Sequence, residues 1–330
     1  MVLKKVREIF VTSLAPFDFD STFHKPDHFT SGDNLWEPGI RWQTWNQEGR
    51  SLGLKIVNMG EVDNPRLQII IYADFVPSDE YLSTLIKEIE FRYNLQLDLS
   101  EFYTAFEKDT TLSPIMQKWR GMRPGHPSSL YEYLIIGIVL QNATVRRSMQ
   151  MFKALIEKYG RRISFDGMEL FCFWSPGDLK SVSVEDLMGL KVGYRAKSIK
   201  MIDEQFAAGL IEENDLRNKP LETQRLELLK LYGVGPATVW YLLFDVFHHL
   251  DFFNHISPWE QKIYSKIFFD ADPEKPISVE RLLEYFEKYG AVFAYVDADG
   301  LDLDCGFNLG SGGCSRSVGV LFVRDGEVKK

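Results

Sequence analysis

Two periodicities divide the chain. Residues 51–57 (SLGLKIV) partly alternate apolar and polar positions, and residues 67–76 (LQIIIYADFV) form an apolar run bounded by Pro65 and Pro77. Both predict β-strands. Trp36, Trp42 and Trp45 enrich the stretch before them. The spacing then changes. Leu82, Leu85, Ile86 and Ile89 recur every three or four residues and predict a helix over 79–93, with Ser78 placed to cap it. From Leu99 the pattern becomes helical and stays so. Helices are predicted over 100–106, 112–119, 130–140, 143–159, 183–190, 195–208, 221–231, 236–247, 258–269 and 279–293, with a turn-rich linker at 120–127. The 130–140 segment is almost wholly apolar and reads as a buried central helix. Short loops between successive helices imply a compact α-helical body.

The expected class is therefore α+β. A small β-sheet domain with a packed helix spans 1–98, an all-helical domain spans 99–296, and a Gly/Asp-rich tail spans 297–330. The chain has 330 residues, is 45% hydrophobic, and holds no run of 18 apolar residues, so nothing in it reads as a membrane span or a disordered chain. Its start, MVLKKVREIFVTSLAPFDFD, fails as a signal peptide, and a cytosolic location (on a nucleoid or in a nucleus, according to the cell) is expected. Cys172, Cys305 and Cys314 make no Cys-x-x-Cys pair and cannot form a four-cysteine cluster site. Net charge is -9, which argues against a generally basic nucleic-acid surface but leaves room for a local site.

Such a local site is written at Tyr232–Pro236 (YGVGP), between two apolar-periodic segments. Pro236 suits a first helical turn, where its missing N–H costs nothing. Gly233 and Gly235 permit a tight bend and close approach to the main chain. The amides of Gly235, Ala237 and Thr238 then open the positive end of a helix, and Thr238 adds a hydroxyl. This arrangement holds a phosphate and carries no sequence information.

The run LYGVGPATVWYLLFDVF, followed by DFFNHISPWEQKIYSKIFF, resembles the helix-hairpin-helix superfamily of base-excision DNA glycosylases. LYEYLIIGIVLQNATVRRSMQMFKALIEKYG is similar to that family's central helix, lesion-facing loop and next helix. VEDLMGLKVGYRAKSIKMIDEQ is similar to the segment before its hairpin. LDLSEFYTAFEKDTTLSPIMQKWRGMRPGHPSSLYE resembles the entry to the branch that contains alkylbase and 8-oxoguanine glycosylases, which also carries an N-terminal β domain. The likeness covers roughly 40–296.

The resemblance implies a protein of base-excision repair that flips a damaged base out of double-stranded DNA and hydrolyses its N-glycosidic bond. It places Gln141 and Asn142 in the loop that fills the vacated stack. It assigns a monovalent cation, Na or K, to the main-chain carbonyls of Leu229, Leu231 and Val234, with no other cofactor. A monomer is expected, with damaged duplex DNA as partner and no membrane. Trp174, Tyr194 and Tyr295 are aromatic candidates for the base pocket.

At two positions the chain departs from the family. The catalytic carboxylate at the start of the helix after the hairpin aligns with Ser257, which is uncharged at neutral pH. Ser257-Pro258-Trp259-Glu260 also reads as a capping box. Glu260, one turn further on, is the candidate catalytic carboxylate, where it would support charge developing on the sugar. The lysine nucleophile of bifunctional relatives aligns with Ala237, so no lyase step is expected. The alternative reading is a DNA-lesion or duplex binding protein that keeps the glycosylase fold without catalysis. A third reading is a helical domain whose hairpin contacts protein.

Overall fold

The computed structural model describes residues 1–24, 32–110, 112–250, 256, 258–287, 294–297 and 317–320, with the last two segments, Val145, Trp259 and Glu287 described in backbone alone. A five-stranded antiparallel sheet comes first. Its strands are β1 (Lys4–Val11), β2 (Asn34–Glu37), β3 (Ile40–Gln47), β4 (Arg50–Asn58) and β5 (Leu67–Ala73), in the order β1-β5-β4-β3-β2. A short helix α1 (Phe19–Phe23) and the longer α2 (Asp79–Arg92) accompany it. Leu52, Leu54, Ile56, Leu67, Ile69 and Ile71 alternate onto one face of β4 and β5 and pack on Leu82, Leu85 and Ile89 of α2. Ser78 caps α2, accepting from the Tyr81 amide at 3.2 Å.

The helical body follows with α3 (Ser100–Phe106), α4 (Leu112–Lys118), α5 (Leu130–Leu140) and α6 (Val145–Tyr159). After these come α7 (Val184–Gly189), α8 (Arg195–Ala207), α9 (Glu213–Arg217), α10 (Leu221–Leu228), α11 (Pro236–Asp245), α12 (Pro258–Phe269) and α13 (Val279–Glu287). As its composition predicts, α5 is central: Leu130, Leu134, Ile135, Ile138 and Val139 are buried among residues of α6, α8 and α11. Ser129 and Glu132 form a complete capping box at its start.

The region 99–296 is not all helical. Strands β6 (Arg161–Phe165) and β7 (Met168–Cys172) form an antiparallel hairpin within it. Asp166 and Gly167 hold φ of 51° and 78°, the two left-handed positions that a two-residue hairpin turn requires. An Asp-Gly pair between Ile163, Phe165 and Leu170 is the sequence signal for that turn, and helical periodicity on both sides masked it. The ribbon packs on the N-terminal sheet. Ile163, Phe165, Leu170 and Cys172 join Leu3, Trp42 and Tyr72 in one cluster. Asp166 accepts from Trp42 Nε1 and Tyr72 Oη at 2.8 Å each and pairs with Lys55 at 2.8 Å. The sheet and the helical body thus share this ribbon, although it lies in sequence far beyond residue 98.

A second tie joins the two bodies. Arg217 of α9 reaches Glu88 of α2 with both terminal nitrogens at 2.7 Å, and Glu88 also accepts from Arg92 Nε at 2.7 Å. Of the 297–330 tail, Asp297 and residues 317–320 are described, in backbone alone. β8 (Ala294–Asp297) pairs antiparallel with β9 (Ser317–Val320).

Candidate DNA interface and active site

The hairpin folds as its residues predict. α10 ends at Leu228, the turn runs through Gly233 at φ 79°, and α11 opens at Pro236 with Gly235 as N-cap. Gly235 has φ -99° and ψ 174°, extended backbone open to any residue, and a Cβ added there would meet nothing within 4 Å among the described residues. Its value is therefore open space outside the protein and not backbone strain. Gly233, Pro236 and Ala237 are exposed, and Gly235 and Thr238 are half-buried. The first-turn amides of α11 face no preceding helical carbonyls, which is the arrangement an anion can use.

Two more loops meet this turn. Gln141, the C-cap of α5, approaches the Gly233 carbonyl with its Nε2 at 3.5 Å. Asn142 takes φ 47°, a value asparagine tolerates, and its Nδ2 lies 3.3 Å from the Tyr194 hydroxyl. Arg195 donates to the Gln141 carbonyl, and Arg147 donates to the Lys191 carbonyl. A guanidinium at each junction thus holds the 141–144 loop against the 191–195 loop. α6, α8 and α11 all begin here, so three helix N-termini open on one face. The structure brings together Gln141, Asn142, Tyr194, Gly233 and Gly235, which lie up to 94 positions apart in sequence (235 − 141).

Charge distinguishes this face from the rest of an acidic protein. Residues 133–156, 187–202 and 228–244 contain no Asp or Glu, and they hold Arg146, Arg147, Lys153, Lys191, Arg195, Lys197, Lys200 and Lys230. Lys153, Lys200 and Lys230 pair with Glu157, Glu204 and Glu227. The other five make no ion pair among the described residues. Sequence reasoning from the net charge missed this segregation, whose signal was three long segments free of acid. A local field of this kind attracts a phosphate backbone even when the whole molecule is negative.

The aromatic candidates separate. Trp174 is 1% exposed, stacks on Phe173 at 4.2 Å and donates to the Tyr131 hydroxyl at 2.7 Å. It is a core residue with no face left for a base, which corrects its assignment to the pocket. Tyr194 is 60% exposed, lies under the Arg195 guanidinium at 4.7 Å and sits beside Asn142. Its place is the outer face rather than a pocket wall. Ser257 and the side chain of Tyr295 lie outside the described residues; the Tyr295 backbone pairs with Gly319.

Glu260 is buried near the start of α12, and its Oε2 accepts from the Tyr241 hydroxyl at 3.1 Å. Tyr241 lies on α11 one turn after Ala237, on the same side of the helix. A further turn on, Asp245 ends α11 and accepts from the Tyr133 hydroxyl of α5. Burial, then the Asp245 carboxylate, push the Tyr133 phenol well above its ordinary range, so it remains a donor. Burial, then Glu260, act in the same way on Tyr264. Tyr133, Tyr241 and Asp245 carried no distinguishing sequence motif, because α5 and α11 must pack before Tyr133 reaches Asp245.

Helix-hairpin-helix glycosylase architecture is what this order of elements and this hairpin define, and the comparisons with known proteins agree. No family model matches the chain. A probable N-glycosylase/DNA lyase of Methanothermobacter thermautotrophicus is 27% identical over 236 residues, covering 64% of this chain and 72% of that protein. Among solved structures, a 3-methyladenine DNA-glycosylase from Archaeoglobus fulgidus superposes with a TM-score of 0.68 at 16% identity, covering 85% of this chain and 92% of that one. The Clostridium acetobutylicum 8-oxoguanine glycosylase/lyase, solved with double-stranded DNA containing cytosine opposite 8-oxoguanine, superposes with a TM-score of 0.61 at 17% identity, covering 86% and 90%. The chain has the fold of these glycosylases. No helix among the described residues is long and apolar enough to cross a membrane.

Proposed function

We propose that this chain is a monofunctional DNA glycosylase of base-excision repair, acting as a monomer on damaged duplex DNA. The observation that carries this reading is the convergence of three acid-free segments on one face, where three helix N-termini open beside the Gln141–Asn142 loop with Arg146, Lys191 and Lys197 exposed and Arg147 half-buried, while the buried Arg195 holds the loop in place. Gly235, Ala237 and Thr238 bind backbone phosphate, and Gln141 and Asn142 enter the stack left by the flipped base. Glu260, fixed by Tyr241, supplies the carboxylate that supports positive charge on the sugar and helps orient water. Ala237 has no amine, so the product is an abasic strand left intact. The carbonyls of Leu229, Leu231 and Val234 suit a monovalent cation. They are neutral oxygen donors from one tight turn, and the Leu231 oxygen, which accepts from the Val234 amide at 3.2 Å, keeps a second lone pair.

A second reading has an observation in its favour. Glu260 is only 7% exposed and its carboxylate already holds a tyrosine hydroxyl, as in a protein that binds lesions without cleaving them. Single-turnover base release from duplexes with alkylated, oxidised and deaminated bases separates the two. The wild type is expected to release at least one lesion, and Glu260→Gln to slow it by about 10²-fold or more. Release that ignores Glu260→Gln removes Glu260 from the chemistry. No release, with salt-dependent duplex binding intact, establishes the binding-protein reading.

A further inference from the structure

Polar contacts join α5 to α8 at both ends. At the start of α5, the Tyr131 hydroxyl donates to Asp203 Oδ1 of α8 at 2.7 Å. At its finish, Arg195 of α8 donates to the Gln141 carbonyl. The sequence order reverses between the two joints, so the helices run antiparallel, and at the helical rise the joints stand about 12–15 Å apart. Between them, Leu134, Ile135 and Ile138 of α5 and Ile199 and Ile202 of α8 are buried in one apolar core. Apolar contact is non-directional and lets one helix slide along another, whereas a hydrogen bond is directional and does not.

Asp203 is a costly residue to place in that core. It is fully buried, burial raises its pKa, and its Oδ2 has no partner among the described residues. A well-packed apolar side chain of similar volume would cost the fold little or nothing. What the carboxylate adds is direction. Trp174 Nε1, which can only donate, gives its proton to the Tyr131 oxygen at 2.7 Å, so the single Tyr131 proton turns to Asp203. The Gly177 amide donates to the same Oδ1 at 3.0 Å and ties it to the loop before α7.

We propose that Asp203 is a positioning residue for base flipping: with Tyr131 it sets the register of α5 on α8, and so the fit of the Gln141–Asn142 loop against Tyr194 and Arg195 at the far end of both helices. This rests on the reading above that Gln141 and Asn142 enter the stack left by the flipped base. A slip of α5 along α8 moves Gln141 away from Arg195 and Asn142 away from the Tyr194 hydroxyl, which it meets at 3.3 Å. The phosphate site at Gly235 belongs to α11 and stays where it is. Loss of the Asp203 joint therefore separates insertion into the stack from binding of the backbone.

The test uses the full chain and two measurements. Hydrogen exchange of the free protein reads the Gln141 and Ala196 amides, which bond to the Ile138 and Gly193 carbonyls at 3.3 and 3.1 Å beside the far joint. Asp203→Leu is expected to speed both at least about tenfold while the β4 amides exchange as before. The second probe is a duplex with an abasic-site analogue next to 2-aminopurine, whose fluorescence rises when its stack is opened. The wild type is expected to raise it. Asp203→Leu is expected to lose most of that rise at unchanged duplex affinity, and Asp203→Asn, which keeps an acceptor for Tyr131 and Gly177, to restore it. Tyr131→Phe, which removes the same hydrogen bond from the other side, serves if Asp203→Leu fails to fold. Wild-type exchange and a full rise in Asp203→Leu overturn the inference. So does an acceleration shared equally by the β4 amides, which marks a loss of stability alone. Faster Gln141 exchange in Asp203→Leu, with no fluorescence rise even in the wild type, supports the register and refutes the stack-filling reading alone.

Discussion

The Glu88–Arg217 pair makes a quantitative prediction about how the two bodies hold together. Glu88 sits between Arg92 and Arg217, with the Glu88 and Arg217 side chains 20% and 13% exposed. Burial raises its pKa, but hydrogen bonds and charge from Arg217 and Arg92 together outweigh burial and hold the carboxyl at about 2 against an ordinary 4.5. A folded-state value below the unfolded one stabilises the protein above pH 4.5, and that stabilisation fades as the pH falls toward 2. The difference corresponds to about 3 kcal/mol at neutral pH, and roughly 2 kcal/mol of it should be gone by about pH 3. Glu88→Gln removes the titrating group and leaves the surrounding arginines. Urea unfolding of wild type and variant should show a gap of about 3 kcal/mol at about pH 6, narrowing by about 2 kcal/mol at about pH 3. Other carboxylates titrate in both proteins and cancel in the difference. A gap that stays constant with pH would show that Glu88 contributes by packing, and the electrostatic account would be wrong.

Two further outcomes follow from glycines that matter for opposite reasons. Gly235→Val should cost no more than about 1 kcal/mol of stability, the loss of a favourable N-cap residue, because its backbone is extended and its Cβ meets nothing among the described residues, yet weaken duplex binding about tenfold by blocking phosphate approach. Fluorescence anisotropy with a labelled duplex reads this, and unchanged affinity would remove the hairpin from the interface. Gly53→Ala should cost about 1–3 kcal/mol without touching DNA affinity, because its Cβ would fall 2.5 Å from the Phe165 ring of the β6–β7 ribbon. Chemical denaturation measures it, and a neutral result would show that Phe165 can move aside.

The helices and the phosphate site were legible because their causes are local. Apolar spacing defined α2, α5, α8 and α11 to within two residues, Ser78 marked a start that the structure keeps, and Tyr232–Pro236 carried both the turn glycines and the helix-starting proline. Gln141 and Asn142 were also placed from the sequence, by resemblance, in a loop that the structure sets against the Gly233 turn. The β6–β7 hairpin could have been read from Asp166-Gly167, and its omission came from extending a helical pattern across it.

Tertiary structure alone decided the rest. An indole can pack in a core or against a base, and only its neighbours show that Trp174 is enclosed by Phe173 and Tyr131. The opposite holds for Tyr194, which the fold leaves exposed beside Asn142. A net charge of -9 is a sum, and sums discard position. The fold gathers Arg146, Arg147, Lys191, Arg195 and Lys197 around three helix starts and sets the Asp245 and Glu260 carboxylates against Tyr133 and Tyr241. Interactions within one turn of helix are written in consecutive residues, whereas Tyr133 meets Asp245, and Tyr241 meets Glu260, only when α5, α11 and α12 pack.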